Sequence, residues 1–235
     1  MGGHGSRITR ISLRRPGLRF GLGWYITKMM FPDLSLSPSA ALVSFLLGYL
    51  LGSIPFGLIV TQLFGEGDVR KIGSGSIGAT NVLRTGNYWA AGLTLLLDAA
   101  KGALAVVLAH YVFGPDAALF AALGAFLGHL YPVWLGFKGG KGIAVSLGVL
   151  LALYWPAALL GLATWLVMLA LFRISSLSAL VAAVATPVYM YVLGKPHEAV
   201  LAVLLAVLVF VAHSQNIRRL LRGEEPRVGA KSKPA

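Results

Sequence analysis

The sequence has no cysteine and only eight acidic residues against twenty lysines and arginines in 235 positions. Without cysteine there is no disulfide framework, no thiol nucleophile and no thiolate metal site, and the redox compartment stays open. The carboxylates lie singly apart from Glu224-Glu225. They form no cluster of the kind that holds a divalent cation, so neither a metal nor a cofactor is expected. Polar side chains are scarce throughout. At 57% hydrophobic and 12% charged, with a mean hydropathy of +0.78, the chain cannot cover a soluble globule and must face lipid. The sequence therefore reads as an all-α polytopic membrane protein.

What is abundant is apolar chain in blocks. A span needs about 20 apolar residues to cross about 30 Å of hydrocarbon. Residues 40–64, 88–113, 117–137, 174–193 and 199–213 each offer one span, the last being short. The run 142–172 is too long for one upright helix and carries Pro156 near its middle, where a lost N–H and a ring clash favour a break. With that break there are seven transmembrane helices, some short or broken; without it there are six.

Charge decides between the two. With seven spans, Arg70, Lys71, Arg84, Lys138, Lys141, Arg173, Arg218, Arg219, Arg222, Arg227, Lys231 and Lys233 share one face, and the opposite loops hold only Lys195. The positive-inside rule makes the basic face cytoplasmic, with the N-terminus outside and the C-terminus inside. The segment 1–28 disagrees, since it carries six basic residues and no acid. Its simplest account is an upstream start or an appended piece, Met29 or Met30 being the natural beginning; the alternative is a basic extension lying on lipid headgroups. The division expected is an N-terminal extension over 1–39, a membrane domain over 40–213 and a basic cytoplasmic tail over 214–235.

Three polar elements fall on the basic face. The loop Gly136-Phe137-Lys138-Gly139-Gly140-Lys141-Gly142 combines four glycines, two lysines and a following helix start, which together suit a phosphate cradle; such loops also serve as plain hinges. The stretch from Asp68 to Arg84 supplies Gly73, Ser74, Gly75, Ser76, Thr80, Asn81 and Arg84, a donor set suited to an anionic, polyhydroxylated ligand. The third begins at His213, where the last span ends. Asn216 follows at i+3 and Glu224-Glu225 close the segment, although an ordinary basic membrane flank would look similar.

Inside the spans, Asp98 and Lys101 can pair on one helix face, as structural glue or as a functional charge. Gly52-Ser53-Ile54-Pro55-Phe56-Gly57 is expected to kink the first span and let neighbours approach. His129 reads as a packing or interfacial residue.

In this order and at these boundaries, the motifs resemble those of the bacterial acyl-phosphate:glycerol-3-phosphate acyltransferases, the PlsY family, over about residues 40–225. The resemblance implies a multi-pass enzyme of the bacterial inner membrane with a cytoplasmic active site. Its reaction would move a fatty acyl group from acyl phosphate to the sn-1 hydroxyl of glycerol 3-phosphate, giving lysophosphatidic acid and phosphate in phospholipid synthesis. Ser74, Arg84, Lys141, His213 and Asn216 then carry catalysis. Gly73, Gly75, Thr80, Asn81, Lys138, Gly139, Gly140, Gly142 and Glu224 bind substrate. Partners would be the two substrates and the bilayer, with no nucleic acid.

The residues agree with this chemistry: an activated mixed anhydride needs mainly positioning and charge stabilisation, which lysine, arginine and backbone N–H groups supply. No Ser-His-Asp set is apparent, and no histidine is followed after four residues by aspartate. The rival reading is a membrane transporter of an organic phosphate, disfavoured because the polar residues gather at one face and not at mid-membrane.

Overall fold

The computed structural model describes residues 36–229, and the expected basic extension over 1–28, with its Met29 or Met30 start, lies outside them. Nine α-helices are described: α1 Pro38–Gly52, α2 Phe56–Leu63, α3 Ala79–Val82, α4 Tyr88–Phe113, α5 Pro115–Leu130, α6 Ile143–Phe172, α7 Ser175–Val192, α8 Pro196–Ala212 and α9 Ser214–Leu221. There is no strand among the described residues, in keeping with an all-α fold. By length and composition five of the helical stretches can cross a membrane, and the pair α8 and α9, bent by 64°, makes up to six.

Local chemistry sets most boundaries. Ser37 caps α1 by accepting from Ala40 N, and Asn87 caps α4 by accepting from Ala90 N. Proline occupies the first turn of α1, α5 and α8, where its missing N–H costs nothing. The chain kinks at 53–55 between α1 and α2, as the Gly-Ser-Ile-Pro sequence predicts.

Small residues let the helices close up. A β-carbon on Gly48 or Gly52 of α1 would lie 2.3 or 2.0 Å from the carbonyl oxygen of Ala121 or Ala125 on α5. One on Gly124 or Gly128 of α5 would meet the Phe45 or Tyr49 oxygen at 2.1 Å. The two glycine pairs, each spaced by four, mesh backbone to backbone, and this is how helices associate where lipid removes the hydrophobic drive. The contact pairs ascend together along both chains, so α1 and α5 run parallel. Leucines such as Leu42, Leu46 and Leu96 point outward. The aromatic anchors Tyr88 and Trp89, 77% and 83% exposed, stand at one end of α4, and Tyr111, 90% exposed, stands at the other. At 1.5 Å per residue those ends are about 34 Å apart, the thickness of a bilayer core plus its margin.

The course of α6 positions the site. It leaves helical geometry at Tyr154 (φ −160°, ψ 89°), two residues before Pro156. The Tyr154 ring sits 5.1 Å from Lys195 Nζ at the α7–α8 turn. Both termini of α6 are elsewhere: Lys141, just before it, bonds Asn216 on α9, and Arg173, just after it, accepts from Val228 N at 2.7 Å. The glycine loop, the α6–α7 junction and the C-terminal segment thus meet, and the break in α6 lies beside the α7–α8 turn.

Candidate active site

Around the first loop the organiser is Asn81. Its Oδ1 accepts from Ser74 N at 3.0 Å, and its Nδ2 donates to the carbonyls of Val69, Ile72 and Ser76 at 2.9, 3.2 and 2.8 Å. The side chain is buried and fully used, so Asn81 builds the loop and has no donor left for a ligand. The loop it folds requires left-handed backbone at Gly73 (φ +54°) and Gly75 (φ +68°). Arg84 lies over Gly73, where a β-carbon would come within 2.4 Å of its Nη1. Ser74 lies half-buried between these residues. Thr80 is exposed and reaches Ser175 Oγ at 3.4 Å.

The second loop is built differently from the expected cradle. The N–H groups of Gly139 and Gly140 donate to the carbonyls of Leu130 and His129, both at 3.0 Å, and so are consumed by the end of α5. These glycines permit close approach: a β-carbon on Gly140 would lie 2.1 Å from His129 Nε2, and one on Gly139 equally close to the His129 oxygen. Anion-binding N–H groups are therefore sought at the first turn of α6, beyond Gly142 (φ +82°), where the helix dipole is positive. Lys138 is exposed; Lys141 turns inward and donates to Asn216 Oδ1 at 2.6 Å.

The third element closes the network. Asn216 Nδ2 donates to Glu225 Oε1, which also accepts from Ser176 Oγ at 2.7 Å, while Arg219 Nε donates to Glu225 Oε2 at 2.7 Å. The expected Glu224 is exposed instead. The two glutamates are adjacent, and the chain's turn after α9 sends Glu225 inward. His213 is buried with Nδ1 2.8 Å from the Val209 carbonyl. A carbonyl only accepts, so Nδ1 carries the proton and Nε2 of the neutral ring is a base.

Lys141 borders a cleft of about 240 Å³ lined also by Ser74, Gly75, Ser76, Tyr131, Gly140, Ser214 and Gln215 among others. A larger recess of about 430 Å³ between α7 and α8 is lined almost wholly by aliphatic and aromatic side chains and carries no chemistry of its own. Burial, with Arg219 and Arg84 nearby, lowers the Lys141 pKa from 10.5 to about 8 against the opposing pull of Glu225. Burial pushes Glu225 up, but hydrogen bonds from Asn216, Ser176 and Arg219 outweigh it and hold the carboxyl below its ordinary value. Among the described residues no group of three or more His, Asp or Glu is placed to hold a metal ion.

Of the expected residues, the fold thus gathers Ser74, Arg84, Lys141, His213 and Asn216 with Gly73, Gly75, Gly139, Gly140 and Gly142. It leaves Thr80, Lys138 and Glu224 at the surface and Asn81 inside the loop. Glu225 and Arg219 stand in the third segment but were expected to carry no site role, and Ser176 gave no signal in the sequence; the paired glutamates were the one available pointer.

Residues 42–223 match the family model described as glycerol-3-phosphate acyltransferase. Among curated relatives of that same name, one from Cereibacter sphaeroides is 58% identical over 193 residues, covering 82% of this chain and 92% of the relative. Another, from Mesorhizobium japonicum, is 59% identical over 190 residues, covering 81% and 97%. The crystal structure of PlsY, an integral membrane glycerol 3-phosphate acyltransferase in its glycerol 3-phosphate form, superposes with a TM-score of 0.76 at 39% identity over 80% of this chain and 96% of that one. Its lysophosphatidic acid form gives a TM-score of 0.75 at 38% identity, over 80% and 95%.

Proposed function

The chain belongs to the glycerol-3-phosphate acyltransferase family, and we propose that it transfers a fatty acyl group from acyl phosphate to the sn-1 hydroxyl of glycerol 3-phosphate. The products are lysophosphatidic acid and inorganic phosphate. The observation that carries the reading is the Lys141–Asn216–Glu225 chain at a cleft also bordered by Ser74, a cationic, donor-rich recess at the end of a lipid-facing bundle.

The reaction needs little beyond these groups. The glycerol oxygen attacks the acyl carbon, the bond from that carbon to the phosphate oxygen breaks, and an oxygen of the leaving phosphate takes the hydroxyl proton. Lys141, Arg84 and the first N–H groups of α6 stabilise the developing charge. Ser74 and Asn216 hold the acceptor, and His213, with Nε2 unprotonated, orients its hydroxyl. Glu225 binds no substrate here; it fixes the Asn216 amide so that Oδ1 faces Lys141.

We read seven membrane passages, counting α1 with α2 as one and the arms of α6 as two, with the basic end cytoplasmic and the membrane that of the bacterial cell interior. In support, α1 ascends toward the cleft while Tyr154 meets Lys195 at the far end. The first arm of α6, 143–153, is about 16 Å long, half the hydrocarbon thickness, so the cleft and the break cannot both lie at a membrane surface. With Lys195 beside the break, the cleft is the one sunk, within reach of an acyl chain in the bilayer.

The test is phosphate release by purified protein given palmitoyl phosphate and glycerol 3-phosphate. Release that requires both is expected, and Ser74→Ala, Arg84→Ala, Lys141→Ala and Asn216→Ala should each lower kcat/KM roughly 30- to 1000-fold. No release in any lipid would overturn the reading and favour a carrier.

A further inference from the structure

Beneath the Lys141 loop lies a charged cluster that the proposed reaction does not use. Lys101 Nζ is 2.7 Å from Asp98 Oδ1, donates to the Ile54 carbonyl at 2.7 Å, and is 3.1 Å from His129 Nδ1. The Ile54 carbonyl and His129 Nδ1 are its hydrogen-bond partners, and Asp98 Oδ1 is its ion-pair partner. Phe56 adds a ring at 5.7 Å. His129 Nδ1 also stands 3.6 Å from Asp98 Oδ1, and its Nε2 lies against Gly140. The same histidine's carbonyl takes the Gly140 N–H at 3.0 Å. Asp98, Lys101 and His129 are 1%, 3% and 2% exposed.

The Asp98–Lys101 pair lies within α4 and by itself joins no second element. The additional contacts reach the Ile54 carbonyl and the Phe56 ring at the α1–α2 break and, through His129 of α5, Gly140 one residue before Lys141. Buried ion pairs seldom add net stability over packed apolar residues, and specifying one arrangement is their better-attested use.

We propose that the Asp98–Lys101–His129 cluster is a positioning device that clamps the Lys141 loop to the α1–α2 break and so sets where the Lys141 ammonium stands. The proposal rests on the reading of Lys141 as the anion-binding residue, but its test does not require turnover. The groups facing Lys141 are Asn216, Arg219 and His213 from the α8–α9 segment, Glu225 from the tail and Arg84 from the first loop.

The probe is an amine-acetylating reagent, with Lys141 modification followed by peptide mass spectrometry across the lysine titration range in wild type, His129→Ala and Gly140→Ala. His129→Ala removes the ring but keeps the Asp98–Lys101–Ile54 contacts; Gly140→Ala displaces the loop with the cluster intact. In both, the labelling midpoint, about 8 in wild type, should move toward the ordinary 10.5. Where turnover is measured, kcat should fall about 10- to 100-fold with a smaller change in KM, the signature of a displaced catalytic group. Folded variants that keep the wild-type midpoint and kcat, whatever their thermal midpoint, overturn the proposal. If wild type shows no acyl transfer, the acyltransferase reading fails while the labelling shift still decides this one. If His129→Ala does not fold, Gly140→Ala decides alone.

Discussion

Lys141 donates to Asn216 across 2.6 Å, joining two segments 75 positions apart in sequence. Because lysine only donates and carboxylate only accepts, this bond and the one to Glu225 fix the Asn216 amide in a single orientation. Oδ1 faces the cation and Nδ2 faces the anion.

The first prediction is a pH dependence with two opposite signs. Above about 8, the folded-state value of Lys141, the cation that meets phosphate is lost and kcat/KM should fall about tenfold per pH unit. For stability, the folded value lies below the unfolded 10.5, so between about 8 and 10.5 the unfolded chain binds more protons and unfolding becomes harder as pH rises. Steady-state rates and denaturation midpoints of wild type and Lys141→Met over that window check both signs, and the variant should lose both dependences.

Glu225→Gln should lower kcat/KM about tenfold or more, since it places an amide where Asn216, Ser176 and Arg219 all donate and leaves Arg219 without its charge partner. Glu224→Gln, at an exposed position, should be silent. Side-by-side kinetics of the two variants read this directly; a silent Glu225 variant would remove that residue from the site.

Replacing Asn81 by leucine deletes one acceptor and the donors to three carbonyls in a single step. Unpaired buried groups cost about 1–3 kcal/mol each, so the loop around 69–76 should open before the bundle melts. Limited proteolysis should cut there, with activity lost and the far-ultraviolet helical signal kept.

Gly52→Ala and Gly92→Ala separate the two roles of helical glycine. The first drives a methyl group into the Ala125 backbone and should destabilise by about 1–3 kcal/mol. At Gly92 nothing lies within 4 Å, and alanine should be neutral or stabilise by up to about 1 kcal/mol. Thermal midpoints in one detergent decide it.

Donor and metal requirements form the last prediction. Activity should survive chelation by EDTA, and acyl-CoA or acyl-carrier protein should not replace acyl phosphate, because the charge stabilised at the Lys141 loop is that of a leaving phosphate. Equal rates with acyl-CoA, or inactivation by EDTA restored by a divalent ion, would sink this mechanism.

Composition and hydropathy by themselves determined that this chain lives in lipid and where most of its helices run; α4 occupies the residues 88–113 expected of it. They did so because transfer of apolar side chains is a local property, summed along the chain without regard to partners. The kink at Pro55 and the break ahead of Pro156 were legible for a similar reason, since the lost N–H and ring clash of an interior proline act on its own helix, although Pro187 leaves α7 unbroken. Bonding was not legible. Only the tertiary structure decided that Asn81 is spent on its own loop, that the Gly139 and Gly140 N–H groups belong to the end of α5, that Glu225 and not Glu224 turns inward, and that His129 completes the Asp98–Lys101 pair. Each of these depends on which backbone or side-chain group the fold brings within 3 Å or so of a polar atom. Spacing cannot specify that for adjacent glutamates or for loops 75 residues apart.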